Sequence, residues 1–200
     1  MPKLPKLKVL GIAGSPRKEG NTDLLLEQVL TGASHEKTEI KKVVLRELHI
    51  APCRHCDGCL KTGTCVQQDD MQWLHQDLRK ADCIVLASPI FFMSLTAQTK
   101  AMIDRCQALW VLKYVLKAPV AIPPCKKRNG IFISVGGTRY KNLFEPSKAI
   151  LKAWLSTLEA DFASELTFSG IDEKGVISRH STALQDAYNL GKKLISDMPE

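Results

Sequence analysis

Short continuous apolar runs alternate along the chain with longer stretches whose apolar positions recur at helical spacing. Residues 8–13 (KVLGIA), 41–45, 82–87 (DCIVLA), 130–135 (GIFISV) and 165–168 predict strands. Residues 22–30 (TDLLLEQVL), 69–80, 96–112, 146–158 and 181–195 predict helices. Asn21 or Thr22 is expected to cap the first helix and Gly32 to stop it. The second opens on Asp69 and Asp70 and closes on Arg79 and Lys80, matching the helix dipole. The core strands are apolar throughout, with no alternation, so both sheet faces must be covered. Five such strands alternating with helices predict an α/β fold, a doubly wound parallel sheet of order 2-1-3-4-5. Ligands of such sheets sit beyond the carboxyl ends of the strands. Chemistry is therefore expected after Ala13, Ala87 and Val135.

The 200 residues fit one domain, with a cysteine-rich loop at about 51–68. A chain of this length needs neither disulfide nor metal merely to fold. Hydrophobic residues at 44% and charged residues at 24% exclude a disordered chain. No apolar run approaches the ~20 residues of a membrane span. MPKLPKLKVLGIAGSP has too short an apolar core and no cleavage site for a leader, so a cytoplasmic protein is expected. The net charge of +7 concentrates between Asp104 and Glu145, where eight bases and no acid occur. That stretch is either a solvated surface or a contact for phosphates or an acidic protein. Nucleic acid is not expected, because no helix-turn-helix or aromatic–basic pattern is present.

The first strand runs into Gly14-Ser15-Pro16-Arg17-Lys18-Glu19-Gly20-Asn21-Thr22. A helix start offers free N–H groups and a positive dipole end, and Ser15, Asn21, Thr22 and Arg17 add donors and charge. The loop lacks both the GK[ST] ending of a P-loop and the G-x-G-x-x-G of a dinucleotide fold, which favours a single phosphate. Ser88-Pro89-Ile90-Phe91-Phe92-Met93-Ser94 and Val135-Gly136-Gly137-Thr138 lie at the next strand ends. They offer apolar walls and close backbone approach for a flat heterocycle.

GIAGSPRKEGNT, SPIFF followed by Gln98-x-Lys100-x-x-Ile103-Asp104-Arg105, and SVGGT together resemble the flavodoxin-like NAD(P)H-dependent FMN reductases over about residues 6–191. The resemblance implies FMN, with Ser15, Arg17, Asn21 and Thr22 on its phosphate. It further implies Pro89, Ile90, Phe91 and Phe92 on one side of the isoalloxazine and Ser134, Gly136 and Gly137 on the other.

Cys53-x2-Cys56-x2-Cys59-x5-Cys65 holds four of the seven cysteines. Compact four-thiolate runs suit an iron–sulfur cluster better than zinc, whose knuckles are usually farther apart. A loop of reduced cysteines without a cluster is the remaining reading. The run also resembles that of the iron–sulfur flavoproteins, which implies Cys53, Cys56, Cys59 and Cys65 as ligands of a 4Fe-4S cluster. Arg54, His55 and Lys61 lie within the run, at its surface or near enough to tune a cluster. Cys83 and Cys106 read as core thiols, Cys125 as a loop thiol without a role, and His35, His49, His75 and His180 as solvated. Residues 115–124 (VLKAPVAIPP) suggest a homodimer or higher homo-oligomer contact, a lid, or a loop packed on its own subunit.

The expected function is electron transfer from NAD(P)H or ferredoxin through FMN to the cluster, with no protein acid or base. Two alternatives stay open. One is a cluster-free FMN or quinone reductase, and the other is an electron carrier without a substrate reaction of its own.

Overall fold

The computed structural model describes residues 6–123 and 127–196, so Cys125 lies outside the described residues. Five parallel strands, β1 (Leu7–Ala13), β2 (Thr38–Val44), β3 (Cys83–Ala87), β4 (Asn129–Gly136) and β5 (Asp161–Ser169), form one sheet in the order β2-β1-β3-β4-β5. The helices are α1 (Asn21–Gly32), α2 (Met71–Lys80), α3 (Ala97–Arg105), α4 (Gln107–Trp110), α5 (Glu145–Thr157) and α6 (Ala183–Ser196).

The two-residue period of the strands divides the core. Leu10, Ile12, Ile84, Leu86 and Phe132 meet Met71, Leu74 and Leu78 of α2, Met102 of α3 and Leu151, Trp154 and Leu155 of α5. Val9, Ala13, Val85, Ala87, Ile131 and Ile133 meet Leu25, Leu26 and Val29 of α1 and Ala183 and Ala187 of α6. β5 is longer than the apolar run at 165–168 predicts. It is an edge strand whose exposed positions alternate, so only its middle reads as apolar.

Several local expectations change. Gly20 takes the cap position of α1 without a side-chain bond, because Asn21 reaches across the molecule instead. Gly32 stays helical and crosses α6 closely, where a Cβ would overlap the Tyr188 backbone. The helix expected over 96–112 breaks at Cys106 and resumes as α4 and a π-helical turn at Val111–Val115. Two bases of the acid-free stretch are internal. Arg128 is buried and donates to the Ala81 carbonyl at 2.7 Å and to the Leu78 and Leu158 carbonyls, closing the ends of α2 and α5. Arg105 is buried at the end of α3.

The segment 115–123 is no lid. The Val120 and Ala121 N–H groups donate to Glu159 Oε2 at 3.1 and 3.0 Å, and Ile122 N donates to Arg79 O at 2.8 Å. Arg79 and Glu159 lie just before β3 and β5, at the sheet edge opposite the carboxyl ends of the strands. The segment therefore packs on its own subunit there, leaving Val115, Leu116 and Ile122 partly exposed.

Candidate functional site

The turn from β1 into α1 is built as an anion nest. Gly14 N donates to Ala87 O at 2.7 Å and Gly14 O accepts from Thr96 Oγ1 at 2.6 Å, locking the turn to β3 and α3. Ser15 Oγ accepts from Arg17 N at 3.1 Å. The first helical bond of α1 runs from Leu24 N to Gly20 O at 3.1 Å, so the N–H groups of Asn21, Thr22 and Asp23 have no helical partner. Thr22 is 1% exposed and its Oγ1 has no hydrogen-bond partner. A buried hydroxyl without a partner is costly unless a ligand completes it. Beneath the nest, Arg46 bonds Asp23 Oδ2 at 2.8 Å. Burial raises the Asp23 carboxyl, and Arg46 opposes that rise.

The loop after β3 continues the sheet, with Ile90 N donating to Val135 O at 2.9 Å. It then reverses at Phe92 and Met93, both at positive φ (49° and 64°), while Phe91 and Ser94 exchange backbone bonds at 2.9 and 3.0 Å. Two bulky residues in the left-handed region hold strain of roughly 1–3 kcal/mol each. The turn sends Phe92 wholly into solvent. Ser134 is fully buried and donates to Ser88 O at 2.7 Å, which ties β4 to the strand-3 loop.

Ser15, Arg17, Asn21, Thr22, Pro89, Ile90, Phe91, Gly136 and Gly137 line one cleft. Phe92 and Ser134 do not line it, the first because the turn points it away and the second because it serves the sheet. The cleft also draws on Ile171, Asp172 and Lys174 from the loop after β5. Asn21 Nδ2 donates to Glu173 O at 2.8 Å, Asn21 Oδ1 accepts from Ile177 N at 3.1 Å, and Arg17 Nη1 donates to Asp172 O at 3.0 Å. The sequence signal for this loop is Gly170 and Gly175, both at positive φ, flanking a polar segment after the fifth strand.

The four clustered cysteines occupy a loop between β2 and α2, with Cys53, Cys59 and Cys65 half-buried and Cys56 exposed. Arg54, His55 and Lys61 are at its surface. Burial raises the Cys59 thiol, and Cys65, Cys53 and Cys56 each push it further. The neck is held by Asp69 and Asp70, which also open α2: Asp69 Oδ1 accepts from Met71 N at 3.1 Å and Asp70 O accepts from Leu74 N at 3.2 Å. Asp69 Oδ2 accepts from Ala51 N at 3.0 Å and Asp70 Oδ2 from His49 N at 2.7 Å. Burial would raise the Asp69 carboxyl, but the Arg105 guanidinium and the Ala51 and Met71 N–H groups outweigh it and hold it low. His75, expected in solvent, is buried. Its Nε2–H donates to the Arg105 carbonyl at 3.0 Å, and burial drives its pKa down to about 4. Cys83 and Cys106 are core thiols, pushed up to about 12 by burial.

The model of the NADPH-dependent FMN reductase family matches residues 7–152. An iron–sulfur flavoprotein of Archaeoglobus fulgidus is 32% identical over 199 residues, covering 92% of this chain and 97% of that protein. The chain belongs to the FMN reductase family, in its iron–sulfur flavoprotein branch. A second iron–sulfur flavoprotein of A. fulgidus is 40% identical over 99 residues, 50% of this chain and 45% of that protein. The match thus spans less than half of that relative's length. The fold is also that of the NAD(P)H:quinone oxidoreductase from Methanothermobacter marburgensis, at a TM-score of 0.70, 14% identity and 98% coverage of both chains.

Among the described residues, no three His, Cys, Asp or Glu side chains converge as ligands of a single metal ion. A four-iron cluster takes one thiolate per iron, so its ligands surround a body rather than a point. Four thiols on one loop are the donor type such a cluster takes.

Proposed function

We propose that this family member is an FMN-dependent oxidoreductase that passes electrons between a reduced nicotinamide nucleotide, FMN and a 4Fe-4S cluster. The reading is carried by the partnerless Thr22 Oγ1, buried at the start of α1 in a cleft that four strand ends share. The phosphate monoester would take the free N–H groups of Asn21, Thr22 and Asp23, the Thr22 and Ser15 hydroxyls and the Arg17 charge. Pro89, Ile90 and Phe91 would bound the ring on one side, and the Gly136 and Gly137 backbone on the other.

Bound FMN supplies the chemistry, accepting an electron pair as hydride and releasing electrons singly. The chain orients the ring and neutralises the phosphate. Cys53, Cys56, Cys59 and Cys65 would hold the cluster as thiolates, each giving up its proton on binding. Replacing Ser15 and Arg17 by Ala together tests the cleft. The expected result is markedly weaker FMN retention with the fold intact by circular dichroism, and unchanged retention would count against it. Reduction of the bound FMN by NADH or NADPH alone tests the electron source. Reduction only by a reduced ferredoxin would assign that role to the protein carrier.

A further inference from the structure

One buried cation is not used by the cleft. The Arg105 side chain is fully buried beneath the cysteine loop, its guanidinium directed at the loop's two ends. Nη1 donates to Ala51 O at 2.8 Å, two residues before Cys53. Nη2 lies 3.4 Å from Gln67 O, two residues after Cys65. Asp69 receives both nitrogens, Oδ2 at 2.5 Å and Oδ1 at 2.9 Å. Gln72 adds a bond from Nε2 to Cys65 O at 2.8 Å.

A buried ion pair returns its desolvation cost only when its donors and acceptors are satisfied. Here the Arg105 Nε is buried without a hydrogen-bond partner.

We propose that Arg105 is the positioning residue of the cysteine loop, clasping its two ends at Ala51 and Gln67 together with Asp69. The clasp pre-organises the fourth thiol of the run before any iron arrives. This rests on the cluster reading above.

The test uses the full-length, FMN-loaded protein. After iron removal, iodoacetamide labelling of each cysteine is followed by peptide mass spectrometry, with exposed Cys56 as the internal reference. Arg105→Gln is expected to speed Cys65 labelling about tenfold relative to Cys56, corresponding to ~1.4 kcal/mol of lost closure. Asp69→Asn is expected to do the same, and it decides the matter if Arg105→Gln does not fold. Arg105→Lys should leave Cys65 as reactive as Arg105→Gln does, because Lys keeps the charge without the planar fork. Unchanged Cys65 labelling in a folded variant overturns the clasp. Wild-type protein that never holds iron overturns the cluster reading instead, and the labelling still decides the clasp.

Discussion

His75 gives the sharpest stability test, because its burial has a defined pH signature. The side chain sits under α3 with its Nε2–H on the Arg105 carbonyl, and its folded pKa falls from 6.5 to about 4. The unfolded chain takes up a proton below pH 6.5, while the folded one stays neutral until about pH 4. The contribution is therefore complete above pH 6.5 and is lost progressively as pH falls from 6.5 toward 4. At 1.36 kcal/mol per pKa unit, the shift amounts to roughly 3 kcal/mol, of which about 2 kcal/mol disappears between pH 7.5 and pH 5. His75→Gln keeps a donor for the Arg105 carbonyl but cannot titrate. Urea unfolding of both proteins at pH 7.5, 6 and 5, in the same cofactor state, isolates the effect. The stability of the native protein relative to the variant should fall by about 2 kcal/mol across that range. Parallel pH profiles would refute the assignment.

Thr22→Val should weaken FMN binding about fivefold, near 1 kcal/mol, by titration calorimetry. It should not destabilise the FMN-free protein, because the lost hydroxyl has no protein partner. Gly191→Ala should lower Tm by about 6 °C despite the better helix propensity of Ala, because the Cβ would overlap the Val29 carbonyl and lie 2.8 Å from Ala33 N. A neutral or stabilising result would place α1 and α6 farther apart. Arg128→Met should cost about 3 kcal/mol or more in urea unfolding by stranding buried carbonyls of α2 and α5. FMN affinity should not move, since Arg128 lies at the opposite sheet edge.

The sheet order was legible because buried parallel strands carry continuous apolar runs, and the start of the nest was legible because helix-start chemistry is local. What escaped the sequence is what depends on contacts distant in the chain. Asn21 reads as a cap, yet its amide is recruited by the loop after β5, more than 150 residues away. Asp69 and Asp70 read as dipole acids of α2, although their oxygens close the neck on His49 and Ala51. Arg105 and Arg128 read as surface bases because charge alone does not show that a carboxylate or a set of helix-end carbonyls waits inside. His75 shares one apolar face with Met71, Leu74 and Leu78, and that helical spacing was the available sign of its burial.

The central claim is that a flavin cleft and a four-thiolate cluster loop coexist in one chain. Iron, acid-labile sulfide and FMN stoichiometry on anaerobically purified protein tests it most directly. The account predicts about four irons and four sulfides per FMN in the native protein. It predicts loss of iron and sulfide with FMN retained in Cys59→Ala. Full FMN with near-zero iron in the native protein would contradict it.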